Sequence, residues 1–172
     1  NLDIPLRPHT KTHKVPQIAQ MQIKAGARGI TCQKVGEAEA MGAVGIDDIL
    51  IPYNIVGKPK LKRLMQLARQ ATITVAIDSE ITARGLSEQA RKDSVTVQIV
   101  VEMDTGSKRC GVQSPQAVLA LAQTIVDLPC LDFQGVMTYP SRLEAKPFID
   151  ETLELLQRDS ISVSMVSGGG TG

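Results

Sequence analysis

Apolar positions along this chain follow two alternating patterns: short dense runs rich in Ile and Val, and longer stretches in which apolar residues recur every three or four positions. An extended opening segment ends at Lys11, and Val15, Ile18, Ala19 and Ile23 then mark a helix that Gly26 closes. Residues 29–35 read as a second strand, followed by an Ala-rich helix over 37–43. Residues 48–53 form a third strand, apolar at its centre like a strand covered on both faces. Leu61, Leu64, Met65 and Ala68 carry the next helical stripe, residues 73–78 the fourth strand, and Ser79 is placed to cap the helix after it. The fifth strand, 95–104, is the longest apolar run; its helix opens with Ser114 as cap and Pro115 in the first turn, then presents Val118, Leu121, Ala122 and Ile125. Residues 131–139 form a sixth strand, Ile149, Leu153 and Leu156 a helix, and residues 161–166 a seventh strand running into Ser167-Gly168-Gly169-Gly170-Thr171-Gly172.

Strand and helix alternate with no hairpin signal, which predicts an α/β fold with a parallel sheet. Two architectures fit: an open doubly wound sheet, or a (β/α)8-type TIM barrel with about seven of its units present. The polar residues favour the barrel. Lys11, Gln33, Tyr53, Asp78, Asp104, Arg109, Tyr139 and Ser167 lie at or just past the C-terminal ends of strands. In a barrel those ends converge on one mouth; in a doubly wound sheet only those beside the strand-order switch meet. A complete barrel takes about 250 residues, so the 172 residues here are expected to be an incomplete barrel forming one domain of a longer protein.

Composition removes several function classes. Lys and Arg number 19 against 18 Asp and Glu, which gives no electrostatic case for nucleic acid or an anionic membrane. With no Trp, two Tyr and two Phe, there is also no aromatic platform for stacking bases. Cys32, Cys110 and Cys130 are odd in number and form no CxxC pair, as expected of reduced thiols in the cytoplasm. No apolar run approaches the roughly 20 residues of a membrane span.

The chemistry concentrates at two places. In Arg7-Pro8-His9-Thr10-Lys11-Thr12-His13-Lys14 both histidines of the chain lie within two residues of Lys11. On a strand, His9, Lys11 and His13 would share a face. A lysine among cations and partly out of water has the lowered pKa that attack on a carbonyl requires. A solvated basic strand end fits the same residue types. The glycine run at 167–172 offers unencumbered N–H groups, with the Ser167 and Thr171 hydroxyls, to a phosphate, and barrels often hold phosphate after strands seven and eight; a flexible linker is the other reading. A Schiff-base lysine and a phosphate cradle on different strands of one barrel are the two anchors of pyridoxal phosphate. Asp78 ends the fourth strand and Glu102 and Asp104 the fifth, with no His–carboxylate spacing, so no metal ligand is assigned; Cys110 lacks a histidine partner and reads as a small core residue.

Four blocks carry a family resemblance: Arg7 through Lys14, Lys34-Val35-Gly36-Glu37-Ala38-Glu39, Glu102-Met103-Asp104-Thr105-Gly106 through Arg109-Cys110-Gly111-Val112, and Val166 through Gly172. In order along the whole chain they resemble the D-threonine aldolase and D-serine dehydratase group of alanine-racemase-type pyridoxal phosphate enzymes. The resemblance implies the barrel of the alanine racemase N-terminal type. It implies a Schiff base on Lys11, an arginine facing the pyridine nitrogen at Arg109, a tyrosine near the cofactor at Tyr139, and a phosphate loop of Ser167, Gly168, Gly169, Gly170, Thr171 and Gly172. His13 then contacts the substrate or the cofactor hydroxyl, or is satisfied by backbone. The implied activity is cleavage of D-beta-hydroxy amino acids to glycine and an aldehyde. Elimination of the D-serine or D-hydroxyaspartate dehydratase kind, or a non-catalytic pyridoxal phosphate-binding barrel, are the alternatives. The group also implies a homodimer and a divalent metal (Mn, Mg or Zn) held by a C-terminal beta domain, which these residues do not include.

Overall fold

A computed structural model describes residues 3–170. Its sheet contains six strands, β1 (Ile30–Thr31), β2 (Asp48–Ile51), β3 (Thr72–Ile77), β4 (Val97–Glu102), β5 (Leu131–Met137) and β6 (Met165–Ser167). Each pairs in parallel with the next, giving the order β1-β2-β3-β4-β5-β6. The helices α1 (Pro16–Lys24), α2 (Val35–Gly42), α3 (Lys58–Ala68), α4 (Glu80–Asp93), α5 (Pro115–Asp127) and α6 (Lys146–Arg158) alternate with them. This strictly sequential order has no switch point, so the strands curl as part of a barrel, a half-barrel of the alanine racemase N-terminal type, and their C-terminal ends share one rim.

Side-chain alternation builds two layers. Ile49, Ile51, Val75, Ile77, Val97, Ile99, Val101 and Val136 face the helices and pack with Leu64, Met65, Leu86, Val118, Ile125 and Leu156. Each such side chain contributes about 1.5–3 kcal/mol by leaving water. The opposite, inner face carries a smaller cluster of Leu50, Ala76, Val100 and Met137, with Met165 against it. Local chemistry agrees with the patterning: Ser79 Oγ accepts the Thr82 N–H, and Ser114 Oγ the Ala117 N–H at 3.2 Å, capping α4 and α5.

Three of the seven expected strands differ: the second, expected over 29–35, is only Ile30–Thr31, because Val35 already opens α2. The opening segment is not a strand but a single parallel bridge between His9 and Thr31. Pro5 and Pro8 remove two donors from it, and its backbone is tied by Arg28 N–H to Leu6 O and Thr31 N–H to Pro8 O. The last strand starts at Met165 rather than Ile161. Opposite it, the β4–β5 register shifts so that Ile99 pairs Phe133 and Val100 pairs Gly135. The extra residue, Gln134, is a bulge whose carbonyl and side chain take Ser164 instead of a regular ladder.

Candidate active site

At the C-terminal rim lies an open cavity of about 200 Å³, lined by Lys11, Tyr53, Arg109, Tyr139, Ser167, Gly168, Gly169 and Gly170, together with Arg7, His9 and Thr138. Leu50 and Met137 form its apolar floor. The strand ends thus bring together five of the eight polar residues singled out at them. Gln33, Asp78 and Asp104 stay outside the cavity.

Lys11 sits in a 3-10 turn, Thr10–Thr12, not on a strand. The buried Thr10 hydroxyl donates to Thr31 O at 3.2 Å, and its carbonyl accepts the His13 and Lys14 N–H groups. The turn seats Lys11 over the end of β1 while leaving its side chain exposed rather than partly withdrawn from water. Lys11 makes no ion pair among the described residues; its Nζ lies 5.3 Å from the centre of the Tyr139 ring. His9 Nδ1 accepts the Lys11 N–H at 3.2 Å. Burial, helped by the charge of Lys11, holds His9 below its ordinary pKa, so it stands beside the lysine as a neutral ring.

His13 does not join them, because the turn rotates it away. Its Nδ1 accepts the Val15 N–H at 3.0 Å, and its Nε2 is buried without a partner among the described residues. The expectation that three nitrogen-bearing side chains share one face therefore holds for two. Gln33 serves α2 instead: its N–H donates to Glu37 Oε2 at 2.9 Å, while Glu37 Oε1 is 3.4 Å from Lys14 Nζ, tying the lysine turn to that helix.

Arg109 and Lys11 share Tyr139. The guanidinium carbon of Arg109 is 4.9 Å from the Tyr139 ring centre and 5.8 Å from that of Tyr53, both half-buried. Asp78 fixes the two loops that carry these groups: its Oδ1 accepts Asn54 Nδ2 at 2.7 Å and its Oδ2 accepts the Gly111 N–H at 3.0 Å.

Across the cavity, Thr138 N–H donates to Ser167 O and Ser141 N–H to Gly169 O at 2.8 Å, pinning the glycine loop to the segment after β5. The N–H groups of Gly168, Gly169 and Gly170 donate no hydrogen bond within the described residues. A Cβ at Gly168 would lie 3.1 Å from Ser141 Oγ, a tight contact that Ser141 would have to yield to by a few tenths of an ångström. Thr171 and Gly172, the end of the expected phosphate loop, lie outside the described residues.

Sequence reasoning passed over Arg7 and Thr138. Arg7 bonds Asp48 through Nη1 at 2.5 Å and Nη2 at 3.0 Å, and also borders the cavity. Its place two residues before His9 was the available signal; its partner, 41 positions away, gave none.

The profile of the family described as alanine racemase, N-terminal domain, matches residues 4–163. The chain belongs to this family. It is similar to the D-threonine aldolase of Arthrobacter sp, 40% identical over 184 residues, a match covering 99% of this chain and 48% of the relative. It is similar also to the 3-hydroxy-D-aspartate aldolase of Paracoccus denitrificans (strain Pd 1222), 33% identical, covering 96% of this chain and 47% of the relative. The crystal structure of the D-threonine aldolase from Filomicrobium marinum superposes with a TM-score of 0.94 at 34% identity, covering 99% of this chain and 50% of that one. This member of the alanine racemase N-terminal family thus spans about half the length of the relatives it matches. Among its described residues no group of three His, Cys, Asp or Glu could hold a metal ion, and no helix is long and apolar enough to cross a membrane.

Proposed function

We propose that this chain is the pyridoxal phosphate-binding barrel domain, residues 1–172, of a lyase that cleaves D-beta-hydroxy amino acids to glycine and an aldehyde. The observation that carries the reading is a cavity in which an exposed lysine, in no ion pair among the described residues, faces three glycines whose N–H groups donate to none of the described residues. The donor set fits the cofactor: an amine for its aldehyde, N–H groups for its phosphate, and a tyrosine and an apolar floor for its ring. The aldolase relatives support the substrate class.

When bound, pyridoxal phosphate supplies a carbonyl for the amine and an electron sink for the bond cleaved at the substrate α carbon. The residues of this chain would hold the group and handle one of the two protons; the β-hydroxyl proton falls to the metal-bound base of the C-terminal domain. Lys11 would anchor the cofactor through its amine and would deliver the proton that the α carbon of the glycine product needs. Neutral His9 beside it adds no competing positive charge. Arg109 binds the edge of the ring with a guanidinium that stays charged at any working pH, and Tyr139 orients both Lys11 and Arg109. Ser167, Gly168, Gly169 and Gly170 would cradle the phosphate; Thr171 and Gly172, expected in the same loop, lie outside the described residues. The divalent metal, the C-terminal beta domain that holds it, the homodimer and a cytoplasmic location implied by the resemblance complete the proposal.

Borohydride reduction of the full-length protein after loading with pyridoxal phosphate, followed by peptide mapping, tests it. A pyridoxyl adduct on Lys11, with acetaldehyde and glycine formed from D-threonine, is expected, and Lys11→Ala removes both. An adduct elsewhere, or none, overturns the site. Formation of 2-oxobutanoate and ammonia instead assigns elimination, and bound cofactor without turnover of D-threonine or D-serine assigns a carrier.

A further inference from the structure

Arg109 reaches the cavity from an excursion, residues 104–111, that leaves the end of β4 and returns to it. Asp104 N–H donates to Val112 O at 3.0 Å, and Val112 N–H to Glu102 O at 2.8 Å. Inside the excursion the Asp104 carboxylate accepts the Gly106 and Lys108 N–H groups, both at 3.0 Å, and Gln113 Nε2 at 3.2 Å. The backbone under Arg109 is therefore held; its long side chain, 38% exposed, is not held by any of these bonds.

Beneath it lies a group that the proposed reaction does not use. Glu102 ends β4 and is 3% exposed. Its Oε1 accepts the Cys110 S–H at 3.2 Å and is 3.5 Å from Arg109 Nη2. Burial pushes the carboxyl above the usual range, with Asp78 adding to the rise, while Cys110 and Arg109 act against it. Burying a carboxylate where an apolar side chain of similar volume would pack more stably calls for a compensating role. A cation–π contact alone sets no single orientation for a guanidinium, whereas a carboxylate beneath one edge does.

We infer that Glu102 is a positioning residue: its buried carboxylate, steadied by the Cys110 S–H, holds the Arg109 guanidinium between Tyr53 and Tyr139 so that its free edge faces the cavity. The cofactor part of the test below rests on the proposed function; the first part does not. In the first, the full-length protein without cofactor is treated with phenylglyoxal and the modified arginines are followed by peptide mapping. Glu102→Gln, which keeps the volume and loses the charge, is expected to raise the modification rate of Arg109 at least about fivefold, because a carboxylate partner shields the guanidinium. Arg7, paired with Asp48 at the same cavity, keeps its rate and serves as the internal control. Unchanged Arg109 reactivity overturns the inference whether or not the protein binds pyridoxal phosphate, and an equal rise at Arg7 does so too, since it reports general loosening.

In the second part, cofactor affinity is measured for Glu102→Gln, Arg109→Lys and the double variant. Glu102→Gln is expected to weaken binding about tenfold, the order of one charge-assisted hydrogen bond, and to add nothing in the Arg109→Lys background. An equal further loss in that background shows that Glu102 acts by another route and overturns the inference while leaving the proposed function standing. A wild-type protein that binds no cofactor sinks the proposed function, and the phenylglyoxal result then decides Glu102 alone.

Discussion

Gly111 closes the excursion that carries Arg109, and replacing it with alanine tests how tightly that closure is packed. Its φ is +111°, a region that L side chains rarely adopt, and a Cβ there would lie 2.5 Å from the Asp104 backbone nitrogen and 2.6 Å from the Met103 carbonyl carbon. Both atoms belong to the backbone that bonds Val112, so neither can swing aside as the tip of a flexible side chain would. The strained backbone costs about 1–3 kcal/mol, and inserting a methyl group into a filled space about as much again. Taken together, Gly111→Ala destabilises the domain by about 4 kcal/mol. For a domain of this size each kcal/mol lowers the unfolding midpoint by roughly 2–4 °C, which gives a fall of about 10–15 °C. Differential scanning calorimetry of the full-length protein reads it. Gly85, inside α4 with nothing within 4 Å of an added Cβ, provides the opposite sign with the same substitution. Gly85→Ala is expected to stabilise by about 0.5–1 kcal/mol through helix propensity. A Gly111→Ala midpoint within about 3 °C of wild type, or an equal fall for both variants, refutes the reasoning.

Two further outcomes follow from the titratable groups. Burial and Lys11 hold His9 below its ordinary pKa, so the fold favours its neutral form; stability is complete above the ordinary imidazole value and is lost as pH falls below it. The midpoint of the wild type should therefore drop more between about pH 7.5 and about pH 5.5 than that of His9→Gln, and equal drops would contradict the assignment. The Cys32 thiol is fully buried and pushed up to about 11, mainly by that burial. Iodoacetamide at about pH 8 should leave Cys32 unlabelled in the native protein while labelling it on denaturation; labelling of the native Cys32 would show that the end of β1 opens readily.

Much of the architecture could be read along the chain because its causes are local. Dense apolar runs and period-3.6 stripes placed six strands and six helices within a few residues, and Ser79, Ser114 and Pro115 marked helix starts by capping chemistry that acts over three positions. That Lys11, Arg109, Tyr139 and the Ser167–Gly170 loop would line one cavity was legible for a related reason: in a barrel the ends of strands must converge, so position along each strand already implies proximity. What the tertiary structure alone decided are the pairings between distant residues. The turn that holds Lys11 and sends His13 away depends on Thr10 reaching Thr31. The choice of Glu102 over Asp104 as the partner of Arg109 depends on which carboxylate the excursion consumes for its own backbone. The joint anchoring of Tyr53 and Arg109 by Asp78 spans 33 positions at its longer reach. A residue's type and its neighbours in sequence set its local conformation, but the partner of a polar side chain is set by whatever the packed sheet brings within about 3 Å, and no periodicity encodes that distance.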